Sequence, residues 1–590
     1  MGAERVDPSR LPTPYNAVAF TKAQVARKRG IVMGRKLSVV LAFALATFPA
    51  VAATAQPVAA QATDARLVAL FREWRAFVRP AIRRGVPDYS TAAMARQAAA
   101  LPAWRARLNA VRPTDANIQA LNDWRMVEAE MNGLDFFQRV LMPWARDPSF
   151  YANVFADQSD VPAHEGPSAE PTIDLFKYKW PLSRTDDARL TEEIGAVPAM
   201  LAAAKTNLAG SQAHDLWAYG NRAFAEQGAT LDALGKGTLR MRTLEGRIPA
   251  TMTGVSPKLH RAIMAAKAAT DDFAAWVAAE APRRTGPSGV GKANYDWYVR
   301  NVERNPYGWD QQVLLLQREL DRSIAGLRLE EARNAALPPI AEIADPAAYR
   351  RMAAAKTRAF NDFLVAKGFV ADRPYFRAAL EAQTSDYIAP ADRDFFGHGT
   401  ALDPLPLLSH STHWIELARL KHEPHASPMR AAPLFNIYAD RSEGFATAME
   451  EVAMQAGLYD DNPHAREVVW IMLANRAARG LASLRVQANE WDLATAGRFH
   501  AEWTPRGWSD ANSKLVGFEQ LLYLRQPGYG PSYVIGKLQL DALIARASHD
   551  AEQAKRPFVL RDVWARIIGA GIMPPAMIEE ELFGPVPAPR

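Results

Sequence analysis

Two short stretches carry residues whose types and spacing suit metal-assisted hydrolysis. Between Leu408 and Glu416, His410, His413 and Glu416 fall at i, i+3 and i+6, so on a helix each neighbouring pair shares a face. Between Arg441 and Glu451, Glu443 and Glu450 stand seven residues apart, two helical turns, and also share a face. Imidazoles and carboxylates on facing helices are how helical hydrolases hold a divalent ion. The same residues could instead form capped or salt-bridged polar contacts without an ion, with Arg441 or Arg485 as the cationic partner. Spacing alone leaves both open. Trp414 and Phe445 are apolar neighbours able to wall such a site from water.

Other candidates fall away on chemistry. Gly286 to Ala293 nearly spells the phosphate-binding loop G-x-x-x-x-G-K-[ST], but Ala293 replaces the magnesium-binding hydroxyl and no strand precedes it. A turn and helix start is expected there, with no nucleotide. The sequence has no G-x-S-x-G elbow and no H-E-x-x-H. His422 and His425 have the wrong spacing, and Pro424 breaks the helix that would align them. With no cysteine, there is no disulfide, thiolate site or sulfur nucleophile.

The elements that must position these groups read as helices. Val313, Leu316, Leu320, Ile324 and Leu327 form one apolar stripe, and Val197, Leu201, Ala204 and Leu208 form another. Strand-length β-branched runs are scarce. Breakers at Asp147-Pro148, Gly166-Pro167, Pro282 to Gly291, Pro338-Pro339, Pro404 to Pro406 and Pro527 to Pro531 divide helices. The expected fold is all-α: one large helical body over residues 63–590 with a soft boundary near 390.

The formal charge of +6 resides near the start, where Arg5, Arg10, Lys22, Arg27, Lys28, Arg29, Arg35 and Lys36 face only Glu4 and Asp7. The remainder is neutral overall, which argues against a nucleic-acid partner held by counterion release. Arg35 and Lys36, the uncharged run from Leu37 to Pro49 and the small residues Ala53 and Ala55 resemble an export signal cleaved before Gln56. Residues 1–32 are expected to be an upstream extension, 33–55 the signal and 56–62 a tether. The run is short for a bilayer helix, and no later segment suits one. The expected location is the bacterial periplasm or outside the cell.

Three further segments carry a resemblance. Arg441 to Asp461 is similar to an E-G-W-A-L-Y-A-E helix, Gln526 to Lys537 to a P-G-Q-x-x-S-Y-x-x-G segment, and Phe558 to Pro574 to a closing F-x-L-x-x-F-H…G-x-x-P pattern. Together they resemble the bacterial domain-of-unknown-function family 885, across nearly the whole mature chain. That resemblance implies a helical, exported, zinc-dependent peptidase whose histidines and E-G-W-A glutamate bind metal. This chain departs from it. Leu407 and Leu408 stand where H-E-x-x-P-G-H-H has His and Glu, Trp414 replaces a histidine, and Gln487 to Trp491 lacks the Asp and His of D-T-G-x-H. His413, Glu443, Glu450, Tyr533 and Gly536 match.

The resulting expectation is a metal-dependent hydrolase of peptides or other small periplasmic substrates. Its metal ligands would be His410, His413 and Glu443 with zinc, and its catalytic groups Glu416, Glu450 and Tyr533, the tyrosine donating to an oxyanion. Glu490 is a local substitute ligand. The alternative is an inactive descendant that binds a peptide, a glycan or a partner.

Overall fold

Side-chain caps fix many of the helix starts. Ser183 accepts from the Asp186 amide before Arg184–Asn207, Ser256 from Leu259 before Pro257–Glu280, and Ser513 from Val516 before Lys514–Arg525. The breakers act as their chemistry dictates. Pro404 precedes the helix Leu405–His410, and Gly528, at φ +86°, turns the chain into Tyr529–Gln553. The computed structural model describes residues 64–584 apart from position 84, and it is all-α. The extension, export signal, cleavage site and tether expected within 1–62 lie outside the described residues.

Strand content is confined, among the described residues, to three two-stranded pairs. Ile82–Arg83 pairs antiparallel with Val86–Pro87, and Arg240–Thr243 with Gly246–Pro249 as a hairpin. Val154–Phe155 pairs parallel with Ile173–Asp174, which closes the segment 156–172 into a loop.

Both apolar stripes are core. Leu316, Leu320 and Leu327 are fully buried on Trp309–Asn334, and Val197, Leu201, Ala204 and Leu208 are buried on or at the end of Arg184–Asn207. The latter stripe packs with Phe224, Leu259 and Phe273 into one core. A larger core gathers Trp74, Leu316, Phe360, Trp414 and Trp564. Phe137 packs against both. The contacts do not divide the described residues near 390. No helix among the described residues is long and apolar enough to cross a membrane.

Four helices make the centre: Trp309–Asn334, Ala439–Gln455, His464–Gln487 and Tyr529–Gln553. Ala439–Gln455 and Tyr529–Gln553 cross with almost no side chain between them. A Cβ on Gly444 would lie 2.3 Å from the Gly536 Cα, and one on Gly536 would lie 2.0 Å from the Asp440 carbonyl oxygen. Only glycine at both positions permits that approach, and it brings Glu443 against the first turns of the tyrosine-bearing helix.

Candidate metal centre

The two histidines come from two helices joined at a bend. Ser411, with ψ 5°, separates Leu405–His410 from Thr412–His422. The rings still face each other edge to face, centroids 4.9 Å apart, so the shared face expected from their spacing is retained across the bend. Opposite them, Glu443 and Glu450 lie on one face of Ala439–Gln455, both buried. His413 Nε2 is 3.1 Å and His410 Nε2 3.5 Å from the same oxygen, Glu443 Oε2. The other nitrogen of His410 faces Glu450 Oε1 at 3.0 Å, off the line of a good hydrogen bond. Arg476, from His464–Gln487, clamps Glu450 with both terminal nitrogens, at 2.6 and 2.8 Å. The 2.8 Å contact is a hydrogen bond and the 2.6 Å contact an ion pair, and together they hold the carboxylate beside the His410 ring.

Tyr529 joins the cluster from Tyr529–Gln553. Its hydroxyl lies 2.5 Å from Glu443 Oε1 and 3.0 Å from Glu165 Oε1. A phenol has one proton to donate. Donation to Glu443, the nearer, leaves the second contact to be filled by a proton on Glu165. Electrostatics agree: burial, then the Asp160 and Glu443 charges, push the Glu165 carboxyl up to about 8. Burial opposes ionisation of Glu443 too, but His413 and His410 outweigh it and hold its pKa well below the usual range. Burial likewise disfavours the His413 cation, and Glu443 overrides it, raising the imidazole pKa.

Glu165 is delivered by the loop 156–172. His164 fastens the loop, with Nε2 2.9 Å from Asp174 Oδ1 and its ring stacked on Phe155 at 4.5 Å. Arg525 donates to the Pro167 carbonyl at 2.6 Å. On the other flank the hairpin is tied in, the Arg242 amide donating to Asp157 Oδ1 at 2.6 Å. Together they enclose a cavity of about 500 Å³, with His410, Glu443, Trp414 and Tyr533 in its wall. Leu407 and Leu408 line it as well, at the positions where the resemblance would have a histidine and a glutamate.

The expected site residues therefore separate into two groups. His410, His413, Glu443 and Glu450 converge. Tyr533 lines the cavity with its ring stacked on His410 at 6.1 Å, and the hydroxyl that reaches Glu443 belongs to Tyr529. Glu416 does not join them. One more helical step carries it round Thr412–His422 to pair with Arg441 at 2.9 Å, beside a separate small pocket that Phe445 also lines. So Arg441 is an ion-pair partner, but of Glu416, and Phe445 lines that small pocket together with His413, and not the larger cavity. Glu490 pairs with Lys292 and Arg485, each at 2.6 Å, and supplies no ligand. In the loop that resembles a phosphate cradle, the Gly289 amide donates to Asn489 Oδ1 at 2.8 Å and the Gly291 amide to the Gln487 carbonyl at 2.7 Å. His422 stacks on Tyr375, and His425 accepts from the Ser427 amide.

Sequence reasoning missed Tyr529, Glu165 and Arg476. Tyr529 stands four residues before Tyr533, a helical spacing that could have flagged it. Arg476 lies on a helix buried nearly all round, where an arginine needs a partner. Glu165, in a loop remote along the chain, left no such signal.

The donor set could hold a divalent ion. His410, His413 and Glu443 each offer an atom, all within 4.8 Å of one another. Two donors about 2.1 Å from a tetrahedral ion stand roughly 3.4 Å apart. The contacts to Glu443 Oε2, 3.1 and 3.5 Å, bracket that edge. His410 and Glu443 border the cavity, so an ion held by the three donors would have an open side.

No protein-family model matches the sequence, and no curated protein does. Solved structures share the fold. One, described as a putative lipoprotein of unknown function from Shewanella oneidensis, is 12% identical with a TM-score of 0.62, over 88% of this chain and 97% of that one. Another, described as the putative lipoprotein from Colwellia psychrerythraea, is 14% identical with a TM-score of 0.60, over 87% and 97%. At these identities the likeness is one of fold.

Proposed function

We propose that this chain is an exported, metal-dependent hydrolase of peptides, a divergent relative of the domain-of-unknown-function family 885. The observation that carries the proposal is the convergence of His410 Nε2 and His413 Nε2 on one oxygen of Glu443, with Glu450 and Arg476 behind His410. His410, His413 and Glu443 would hold the ion, zinc being the one their nitrogen and oxygen donors suit. Bound there, zinc would supply Lewis-acid polarisation of a carbonyl and of water. The chain's own groups do the rest. A proton on His410 Nδ1, the nitrogen that faces Glu450, would leave Nε2 free to ligate. Tyr529 steadies Glu443. Glu165, at the cavity edge, is a carboxyl able to take and return a proton, standing in for the glutamate absent at Leu408. Export is supported by the basic-apolar-small pattern before Gln56 and by the fold shared with proteins described as putative lipoproteins. Lipidation is not carried over, since a thioether lipid needs a cysteine and the sequence has none.

The test is elemental analysis of untagged protein, with hydrolysis of a mixed peptide panel before and after a chelator. Stoichiometric zinc and chelator-sensitive cleavage support the proposal. Leu407 and Leu408 in the cavity wall favour a second reading, a binding protein that has lost chemistry. Peptide binding without metal or cleavage would establish that reading and overturn the first.

A further inference from the structure

The cavity holds four arginines, and three have partners. Arg476 is clamped to Glu450, Arg479 to Glu519, and the exposed Arg247 reaches Asp386 at 3.7 Å. Arg242 is different. It is half-buried, yet among the described residues its guanidinium makes no ion pair or hydrogen bond. Its backbone is pinned on both sides, the amide to Asp157 Oδ1 at 2.6 Å and the carbonyl accepting from the Gln158 amide at 2.9 Å. The guanidinium lies over the Trp414 ring at 5.1 Å, one residue along from His413. A guanidinium set beside an aromatic ring, with its five donors unspent, is available to a carboxylate.

From this arrangement we infer that Arg242 binds the free C-terminal carboxylate of a short peptide, with the peptide chain running along the cavity toward Glu443. The substrate class is therefore small peptides with an unblocked C-terminus, cleaved near that end. Charge in the rest of the wall is consistent. Asp160 lines the same cavity and makes no ion pair among the described residues, so a free amine of a short peptide finds an acidic group there. The cavity of about 500 Å³ is of the size that takes a small ligand and not a folded chain.

The cleavage part of this inference rests on the hydrolase reading, but the recognition part does not, and calorimetry separates them. Trialanine and trialanine amide are titrated into wild-type protein and into Arg242→Gln and Arg242→Lys, with and without added zinc, and zinc content is measured for each. The expected result is that wild type prefers the free acid about tenfold or more, as a charge-assisted hydrogen-bond pair warrants. Arg242→Gln abolishes the preference with zinc content unchanged, and Arg242→Lys keeps part of it. Equal affinity for acid and amide in wild type overturns the inference, and so does a preference that survives in Arg242→Gln. Tighter binding of a phosphoserine-containing amide than of the free acid would also overturn it, making the group a phosphate site. A preference for the acid in protein that takes up no zinc would leave the carboxylate site standing and remove the hydrolase.

Discussion

Gly444 and Gly536 meet backbone to backbone, and that contact decides where Glu443 sits. A Cβ added at Gly536 would stand 2.0 Å from the Asp440 carbonyl oxygen, far inside van der Waals contact. The Ala439–Gln455 and Tyr529–Gln553 helices would have to part. Gly536→Ala should therefore cost about 2–3 kcal/mol by overpacking, read as a lower denaturant midpoint with unchanged slope. It should also weaken the Tyr529 to Glu443 hydrogen bond. A neutral Gly536→Ala would mean the helices can slide apart freely.

The Glu450 and Arg476 pair is fully desolvated, at 0% and 2% exposure of their side chains. Arg476→Met leaves a buried carboxylate beside His410 without its partner, at a cost of about 3–5 kcal/mol. The double variant Glu450→Gln, Arg476→Met should recover most of that loss. A denaturation double-mutant cycle reads the coupling, and additive losses would contradict it.

Zinc uptake should distinguish the converging residues from the one that turned away. His410→Ala, His413→Ala and Glu443→Ala should each lower bound zinc at least tenfold in a chelator competition, as loss of one of three ligands requires. Glu416→Gln breaks only the pair with Arg441, so its zinc content should match wild type. A ligand variant that retains full zinc would place the ion elsewhere.

His500 supplies a pH dependence away from the centre. Burial, with the Arg479 charge adding to it, pushes its pKa from 6.5 to about 3. The folded state keeps this ring neutral while the unfolded chain protonates it near pH 6.5. The contribution is therefore complete above that pH and is lost as pH falls toward 3, at about 1.4 kcal/mol per unit. Stability measured in denaturant from pH 7 to pH 4 should fall more steeply for wild type than for His500→Gln. Parallel profiles would show that His500 does not titrate as described.

Much of this was legible along the chain because it is local. Helix follows from apolar residues at three- and four-residue steps, and Val197, Leu201 and Leu208 are buried as their period requires. Seven-residue spacing alone puts Glu443 and Glu450 on one face, and three-residue spacing brings the rings of His410 and His413 together even across the bend at Ser411.

What needed the tertiary structure was everything set by packing between elements. Glu416 has the same spacing from His413 as His413 has from His410, yet each step of three falls short of a full turn by about 60°. The accumulated rotation carries it to Arg441, and no sequence period says where an arginine waits. Glu165 reaches the centre only because Val154–Phe155 and Ile173–Asp174 pair and His164 fastens the loop between them. Tyr529, and not Tyr533, bonds Glu443 because of where two glycines let their helices cross. Spacing along one helix is determined by the sequence, because backbone geometry is the same in every helix. Partnership across helices is decided by the depth and angle of their contact, which depend on the shapes of many side chains at once.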